Sequence, residues 1–294
     1  MAYRSLLSIA FIVGWALALT ACEQAVVATP TPVIITITGS TSMEPVLYEL
    51  TTAYGRRHPE VRFDLRGGGS TLGEERVQAR QADLAASTLT GREALTSTVA
   101  AGRRSLVRIP IGIDGLAIVV HASNVITSLT TAEVRALYSG QILDWAELGS
   151  ESGEVLLVSR EDGSGSRTTF ERRIMGDEAV SLTAVVMPSS ADVVAYVARN
   201  PQAIGYVSRA HLVDALDDRT APPGTPTAAS AVRMVPLDGE LPTPAALREE
   251  RYGLTQPLLL VSVREPQGPV RDFVDFVLSP AGQAIVERYH ARVR

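Results

Sequence analysis

The 294-residue sequence contains no lysine: all 27 of its basic residues are arginine. A phosphate loop of the form G-x-x-x-x-G-K-[ST] is therefore excluded, because the lysine that would reach the phosphates has no candidate. Schiff-base chemistry, including a pyridoxal phosphate site, falls for the same reason. There is one cysteine, Cys22, so no intrachain disulfide and no thiolate metal cluster can form. The four histidines, His58, His121, His211 and His290, are scattered without ligand spacing, and neither a metal nor another cofactor is expected. Net positive charge is also missing. The formal charge is −5, which argues against a nucleic-acid partner. What remains is a chain with 46% hydrophobic and 20% charged residues, the composition of a folded α/β protein. Its length suits one large domain or two ordinary ones.

The first residues read as an address. Arg4 is followed by the apolar run from Leu6 to Leu19, and no charge occurs from Ser5 through Cys22. A membrane anchor and a cleaved signal peptide compete for such a stretch, which just reaches spanning length. Leu19-Thr20-Ala21-Cys22 resembles a bacterial lipobox, which favours a signal peptide over residues 1–21 and a lipid on Cys22. Buried acyl methylenes contribute about 0.8 kcal/mol each, so several chains on one cysteine would hold a soluble domain at the outer face of the membrane. Residues 22–32 then form a lipidated tether, kept extended by Pro30 and Pro32.

From Val33 onward, short β-branched runs alternate with helical stretches. Val33–Thr38, Val61–Leu65 and Asp83–Ala86 read as strands, separated by helices over Ser42–Arg57 and Thr71–Arg80. That order implies parallel strands with helical crossovers. Ser105–Pro110 and Gly115–His121 read as two strands broken by Gly112 and Asp114. A second unit follows, with a capping box at Thr130-x-x-Glu133. It has strands at Val155–Ser159 and Ala203–Val207, and helices over Ser164–Ile174 and Ser189–Arg199. The Pro- and Thr-rich stretch from Leu216 to Ala231 reads as a surface loop. A strand over Pro257–Val263 and helices over Val270–Leu278 and Pro280–Tyr289 complete the chain. The pattern predicts an α/β fold with two lobes, in which ligands bind at the carboxyl ends of strands.

Three strand-to-helix turns carry the chemistry. They are Gly39-Ser40-Thr41-Ser42-Met43, Gly67-Gly68-Gly69-Ser70-Thr71, and Arg160-Glu161-Asp162-Gly163-Ser164-Gly165-Ser166-Arg167. Each exposes free N–H groups at the positive end of a helix dipole, which suits an anion. Serine adds a hydroxyl, and arginine adds charge-assisted bonds to a tetrahedral oxyanion. An enzyme would need more. Ser164 fails the G-x-S-x-G elbow, because Asp162 and Ser166 stand at its glycine positions. Neither glycine turn completes G-x-G-x-x-G, since Leu72 and Thr168 stand at the last position.

Taken in order, GSTSMEP at 39–45, RGGGST at 66–71, ADLAAST at 82–88, IGIDGLAIVVH at 111–121, SREDGSGSRTTFE at 159–171, AIGYVS at 203–208 and FVLSPAGQAIVERY at 276–289 resemble the phosphate-binding proteins of bacterial phosphate ABC transporters, the PstS-type group of periplasmic binding proteins. The resemblance implies two α/β lobes around a ligand cleft: residues 33–111 with 236–294, and residues 112–235. It implies phosphate contacts from Ser42, Met43, Ser70, Arg160, Ser164, Gly165 and Ser166, with Thr41, Thr71, Thr88 and Arg167 as secondary candidates. Some members carry an acidic acceptor where this chain has Thr88, and the following Leu89 also departs from the group's pattern. Asp114 is the substitute expected to accept the phosphate proton, as an alternative to capping its own turn. The implied partners are inorganic phosphate, permease subunits and, through the lipid, the membrane. The implied state is a monomer without catalysis. Sulfate, molybdate or tungstate as cargo, a surface phosphate sensor or interaction module, and a secreted phosphate-ester hydrolase remain the alternatives.

Overall fold

The computed structural model describes residues 32–90, 106–216 and 228–293. The expected signal peptide, Cys22 and almost all of the tether lie outside the described residues. Strand β1 (Val33–Gly39) buries Ile35 and Ile37, two residues apart and therefore on one face. It pairs in parallel with β2 (Val61–Arg66) and β3 (Leu84–Ser87). Parallel neighbours need crossovers, and two helices supply them. Helix α1 (Glu44–Gly55) is entered through a 3-10 turn over Thr41–Met43 and has a proline in its first turn. Helix α2 (Gly69–Gln78) starts after Gly68, and Gly68 and Gly69 both have positive φ, backbone that glycine adopts without cost.

Strand β4 (Val107–His121) is one strand of 15 residues. The expected break at Gly112 and Asp114 is absent. A register shift between Pro110 and Gly112 takes its place. Tertiary pairing overrides the local preference of glycine and aspartate. The first part of β4, Val107 to Gly115, pairs antiparallel with β9 (Thr255–Ser262), which continues to β3. The second part, from Leu116 on, pairs with β7 (Ala203–Ser208) and β8 (Val232–Val235). Beyond β7 lie β5 (Leu156–Arg160) and β6 (Val185–Met187), both parallel. The strand order is β2-β1-β3-β9-β4-β7-β5-β6.

One strand thus threads two cores. Ile35, Ile37, Leu50, Tyr54, Leu258, Leu260 and Phe273 fill the first. Leu116, Ile118 and Val120 point into the second, with Tyr138, Trp145, Phe170 and Tyr206. The intervening Ala117 and Val119 face the opposite side, against Val193 and Val197. Both faces of this part of β4 are covered, which explains its unbroken apolar run. Leu237, Ala246, Leu247, Tyr252 and Leu254 also pack with Leu116, so the stretch between β8 and β9 shares the second core. The helices between β4 and β9 are α3 (Thr131–Ser139), α4 (Gly165–Phe170), α5 (Ser190–Arg199), α6 (Ala210–Leu216) and α7 (Pro244–Arg248); α6 also packs Ala210 and Val213 into the first core. Helix α4 runs into a π turn over Glu171–Met175 instead of continuing as α-helix to Ile174. The capping box at Thr130 and Glu133 is present. Of the Pro-rich stretch, residues 217–227 lie outside the described residues. The chain ends with α8 (Gly268–Leu278), α9 (Pro280–Tyr289) and the short β10 (Ala291–Arg292), which returns to β4.

Two buried polar devices hold the carboxyl ends of the strands in place. Arg108 on β4 donates to both oxygens of Glu74 on α2 at 2.8 and 2.7 Å, and Ser87 Oγ donates to Glu74 at 2.6 Å. Such a buried pair contributes little net energy, but losing one partner costs about 3–5 kcal/mol. It ties the middle of α2 to the end of β3 and to β4. In the other half, Tyr206 stacks on Phe170 with ring centroids 4.0 Å apart. Its hydroxyl bonds Ser159 Oγ at 2.9 Å and accepts from Arg160 N at 3.3 Å. Burial pushes the Tyr206 phenol up to about 12, so it stays neutral and anchors the end of β5.

Candidate functional site

Four helix starts converge where the two halves meet. Thr41 and Ser42 enter α1, Gly69 and Ser70 open α2, Gly165 and Ser166 open α4, and Ser190 opens α5. Residues in a first helical turn have N–H groups without an intrahelical acceptor, and the dipoles add positive potential. All four serines and Thr41 are buried. Ser42 Oγ lies 2.7 Å from Ser166 Oγ, across the boundary between halves. Both serine oxygens of the first and fourth turns approach to 3.4 Å, and Ser190 N donates to Thr41 Oγ1 at 3.1 Å. Ser70 Oγ accepts from Thr88 N at 3.1 Å and lies 3.3 Å from Thr88 Oγ1.

Arg160 supplies the charge. It ends β5 and is 2% exposed. Its Nη1 donates to Ser190 Oγ at 3.0 Å and its Nη2 to Thr41 Oγ1 at 3.1 Å. The other edge of the guanidinium faces Glu161, with Nε and Nη2 donating at 3.0 and 2.9 Å. The salt bridge and the site contact therefore coexist. Each edge of the planar fork serves one of them. Glu44, at the start of α1, has its carboxyl pushed up by burial and pulled back by Arg160.

The halves also meet through backbone. Thr71 N donates to Gly163 O at 3.2 Å. A Cβ at Gly69 would lie 2.6 Å from that carbonyl oxygen, and one at Gly165 would lie 2.2 Å from Thr88 Oγ1 and 2.7 Å from Ser70 Oγ. Glycine is what permits these approaches. His211 on α6 lies with Nε2 2.9 Å from Thr41 O. Burial pushes its imidazole down to about 4, so the ring is neutral. A carbonyl only accepts, which assigns the hydrogen to Nε2.

Beneath the serines lies Asp114, fully buried. Its Oδ2 accepts from Gln256 Nε2 at 2.8 Å, and its Oδ1 lies 3.0 Å from His290 Nδ1. Arg209 is adjacent: burial lowers its pKa, while Asp114 raises it.

The fold brings together Ser42, Ser70, Arg160, Gly165, Ser166, Thr41 and Thr88. Four residues expected near an anion have other tasks. Met43 puts its side chain in the first core, and its N–H bonds Ser40 O at 3.2 Å. Ser164 caps α4, accepting from Arg167 N at 3.3 Å. Thr71 offers its amide to Gly163. Arg167 directs its guanidinium to Asp162 and Glu171 at 2.6 and 2.8 Å. Ser190, His211, Gln256 and His290 were not singled out by sequence. Only Ser190 had a signal, the Ser-Ser pair closing a strand and opening a helix.

Among the described residues, no histidine nitrogen bonds any of the clustered serines, and no group of His, Cys, Asp and Glu could hold a metal ion. The arrangement can hold an anion by hydroxyls, amides and one guanidinium.

Comparison with known proteins gives the same frame. A family model described as the PBP superfamily domain matches residues 26–281. Phosphate-binding protein PstS of Bacillus subtilis is 25% identical over 250 residues, 83% of this chain and 75% of the relative. A structure described as a phosphate ABC transporter substrate-binding protein with bound phosphate, from Clostridium perfringens, gives a TM-score of 0.75 at 28% identity. That match covers 89% of this chain and 100% of the other. An ABC-type phosphate transport receptor from Vibrio cholerae gives 0.64 at 28% identity, covering 88% and 100%. The two-lobed α/β architecture, the strand shared between lobes and the family match over most of the sequence lead to one conclusion: the chain belongs to the PBP superfamily and is of the PstS type.

Proposed function

We propose that this protein captures inorganic phosphate between its lobes, outside the cytoplasm, and delivers it to the permease subunits of an ABC transporter. The observation that carries the reading is the convergence of four helix starts and Arg160, from both halves, on one buried spot. Ser42, Ser70, Ser166 and Arg160 are the side-chain donors. The first-turn amides of Gly165 and Ser166 complete the cradle, with Met43 and Ser164 shaping two of its turns. Asp114 acts from beneath. Each charge-assisted bond contributes about 1.5–3 kcal/mol, part of which offsets dehydration of the anion. Release requires opening, so no covalent step and no turnover belong to the cycle. The packing supports lobe crossings at Gly115–Leu116 and Leu254–Thr255, the second of them later than position 236. The protein acts as a monomer.

Titration calorimetry of residues 33–294 tests the reading. Phosphate should bind with a one-to-one stoichiometry and sulfate at least about tenfold more weakly. Tighter binding of sulfate, molybdate or tungstate would reassign the cargo, and no oxyanion binding would favour a sensor or interaction module. Phosphate-ester turnover abolished by Ser164→Ala would instead point to a hydrolase.

Lipid attachment at Cys22, after removal of residues 1–21, completes the proposal. The mature mass should exceed that of the peptide starting at Cys22 by the mass of its acyl chains. It should shift when lipoprotein signal peptidase is inhibited, and a mass indifferent to the inhibitor would refute the anchor.

A further inference from the structure

We infer that Gln256 is a ligand-contacting, specificity-determining residue whose amide oxygen accepts the hydrogen of a protonated tetrahedral oxyanion. The inference rests on the phosphate reading above and deepens it. Gln256 is the second residue of β9, and register places it directly opposite Asp114 on β4. Both are buried at the crossing between lobes, Gln256 1% and Asp114 0% exposed. Gln256 Nε2 donates to Asp114 Oδ2 at 2.8 Å and to Ser166 Oγ at 3.2 Å. Ser166 Oγ in turn lies 2.7 Å from Ser42 Oγ. The amide therefore spans from the floor of the cleft to the serine pair at its centre.

Its orientation follows from its neighbour. A carboxylate oxygen can only accept, so the NH2 end of Gln256 faces Asp114. Oε1 is then turned away from Asp114, and no donor among the described residues bonds it. Most other groups around the spot are donors, two-way hydroxyls or acceptors already engaged; the exceptions are His290 Nε2, the ring nitrogen turned away from Asp114, and the partly exposed carboxyl of Glu44. Arg160 and the first-turn amides donate. Glu161 is taken by Arg160. Asp114 receives Gln256 on one oxygen and His290 on the other. Gln256 Oε1 is the unpaired buried acceptor whose residue also bonds the serine pair, and it is the one offered to a ligand.

An oxyanion carrying an O–H satisfies that atom. One without a hydrogen leaves it unpaired, which weakens binding roughly tenfold to a hundredfold. Hydrogen phosphate brings one hydrogen and dihydrogen phosphate brings two, whereas sulfate brings none at neutral pH. A neutral amide suits a dianion better than a carboxylate in the same place, because it accepts without repelling the charge. Asp114 then acts as a positioning residue: it takes the NH2 end of the amide and so leaves the oxygen free to accept.

The test compares hydrogen phosphate with monofluorophosphate, a tetrahedral dianion in which fluorine replaces the O–H, by calorimetry on residues 33–294. The protein with Gln256 should favour phosphate by at least about tenfold. Gln256→Met, close in volume and without the acceptor, should shrink that gap to about threefold or less, with monofluorophosphate and sulfate little changed. A structural role alone would weaken all three anions together. If the Met variant does not fold, as judged by circular dichroism, Gln256→Asn carries the same expectation, because it withdraws the oxygen by one methylene. Equal affinity for the two ligands in the unaltered protein overturns the inference, and so does a full gap retained in the variants. Failure of the unaltered protein to bind phosphate at all would defeat the transport reading, a separate outcome.

Discussion

Replacing Arg160 with alanine should weaken phosphate binding by roughly 10- to 150-fold and leave the fold intact. Among the described residues, the guanidinium is the one buried cation bonded directly to the hydroxyl cluster, through Thr41 and Ser190. An anion at this spot would take donors from the same edge of the fork, while Glu161 keeps the other. The carboxylate bonded to it, Glu161, and Glu44, which feels its charge, are both partly exposed, so removing the cation strands neither as a fully buried charge. Arg160→Lys should recover only part of the loss, since an ammonium keeps the charge without the planar pair of donors. Calorimetry gives the affinity, and a thermal melt without ligand separates a site effect from unfolding. Unchanged phosphate affinity in the alanine variant would remove Arg160 from the site.

The second large effect is expected at Gly165→Ala. The added Cβ would lie 2.2 Å from Thr88 Oγ1 and 2.7 Å from Ser70 Oγ, both on the opposite lobe. Alanine is a good residue for a first helical turn, so α4 itself should tolerate it. The conflict exists only while the lobes touch. Overpacking of this kind costs about 1–3 kcal/mol, which corresponds to roughly 5- to 150-fold in affinity. Dissociation should accelerate, and the melting temperature without phosphate should stay where it was. Stopped-flow release and paired melts check both halves of the statement. Adding Thr88→Ala should recover part of the affinity by deleting the nearer oxygen. Wild-type affinity in Gly165→Ala would mean that the lobes do not close along this line.

Much of the site was legible because its parts are contiguous in sequence. Each of the three turns carries glycine, serine or arginine in a run between a strand and a helix, and that chemistry survives without knowledge of the fold. The fourth turn lacks glycine and arginine, so Ser190 looked like any helix cap. The floor was illegible for a different reason. Gln256 and His290 reach Asp114 only through the register of β4 against β9 and the return of the chain after α9, both decided by long-range pairing. The same pairing corrected the reading of β4. Glycine and aspartate argue locally for a break, yet β9 and β10 keep the strand whole. Arg167 misled because spacing puts two arginines beside one turn. Only the positions of Asp162 and Glu171 show which of them is spoken for.

The continuity of β4 has a mechanical consequence. When two bodies swing about a common spine, points near that spine travel least. Asp114 lies on it and Gln256 directly across from it on β9, whereas the serines and Arg160 belong to the parts that would swing. An arriving ion would meet a base already in final geometry, and only the sides of its berth would still have to come in.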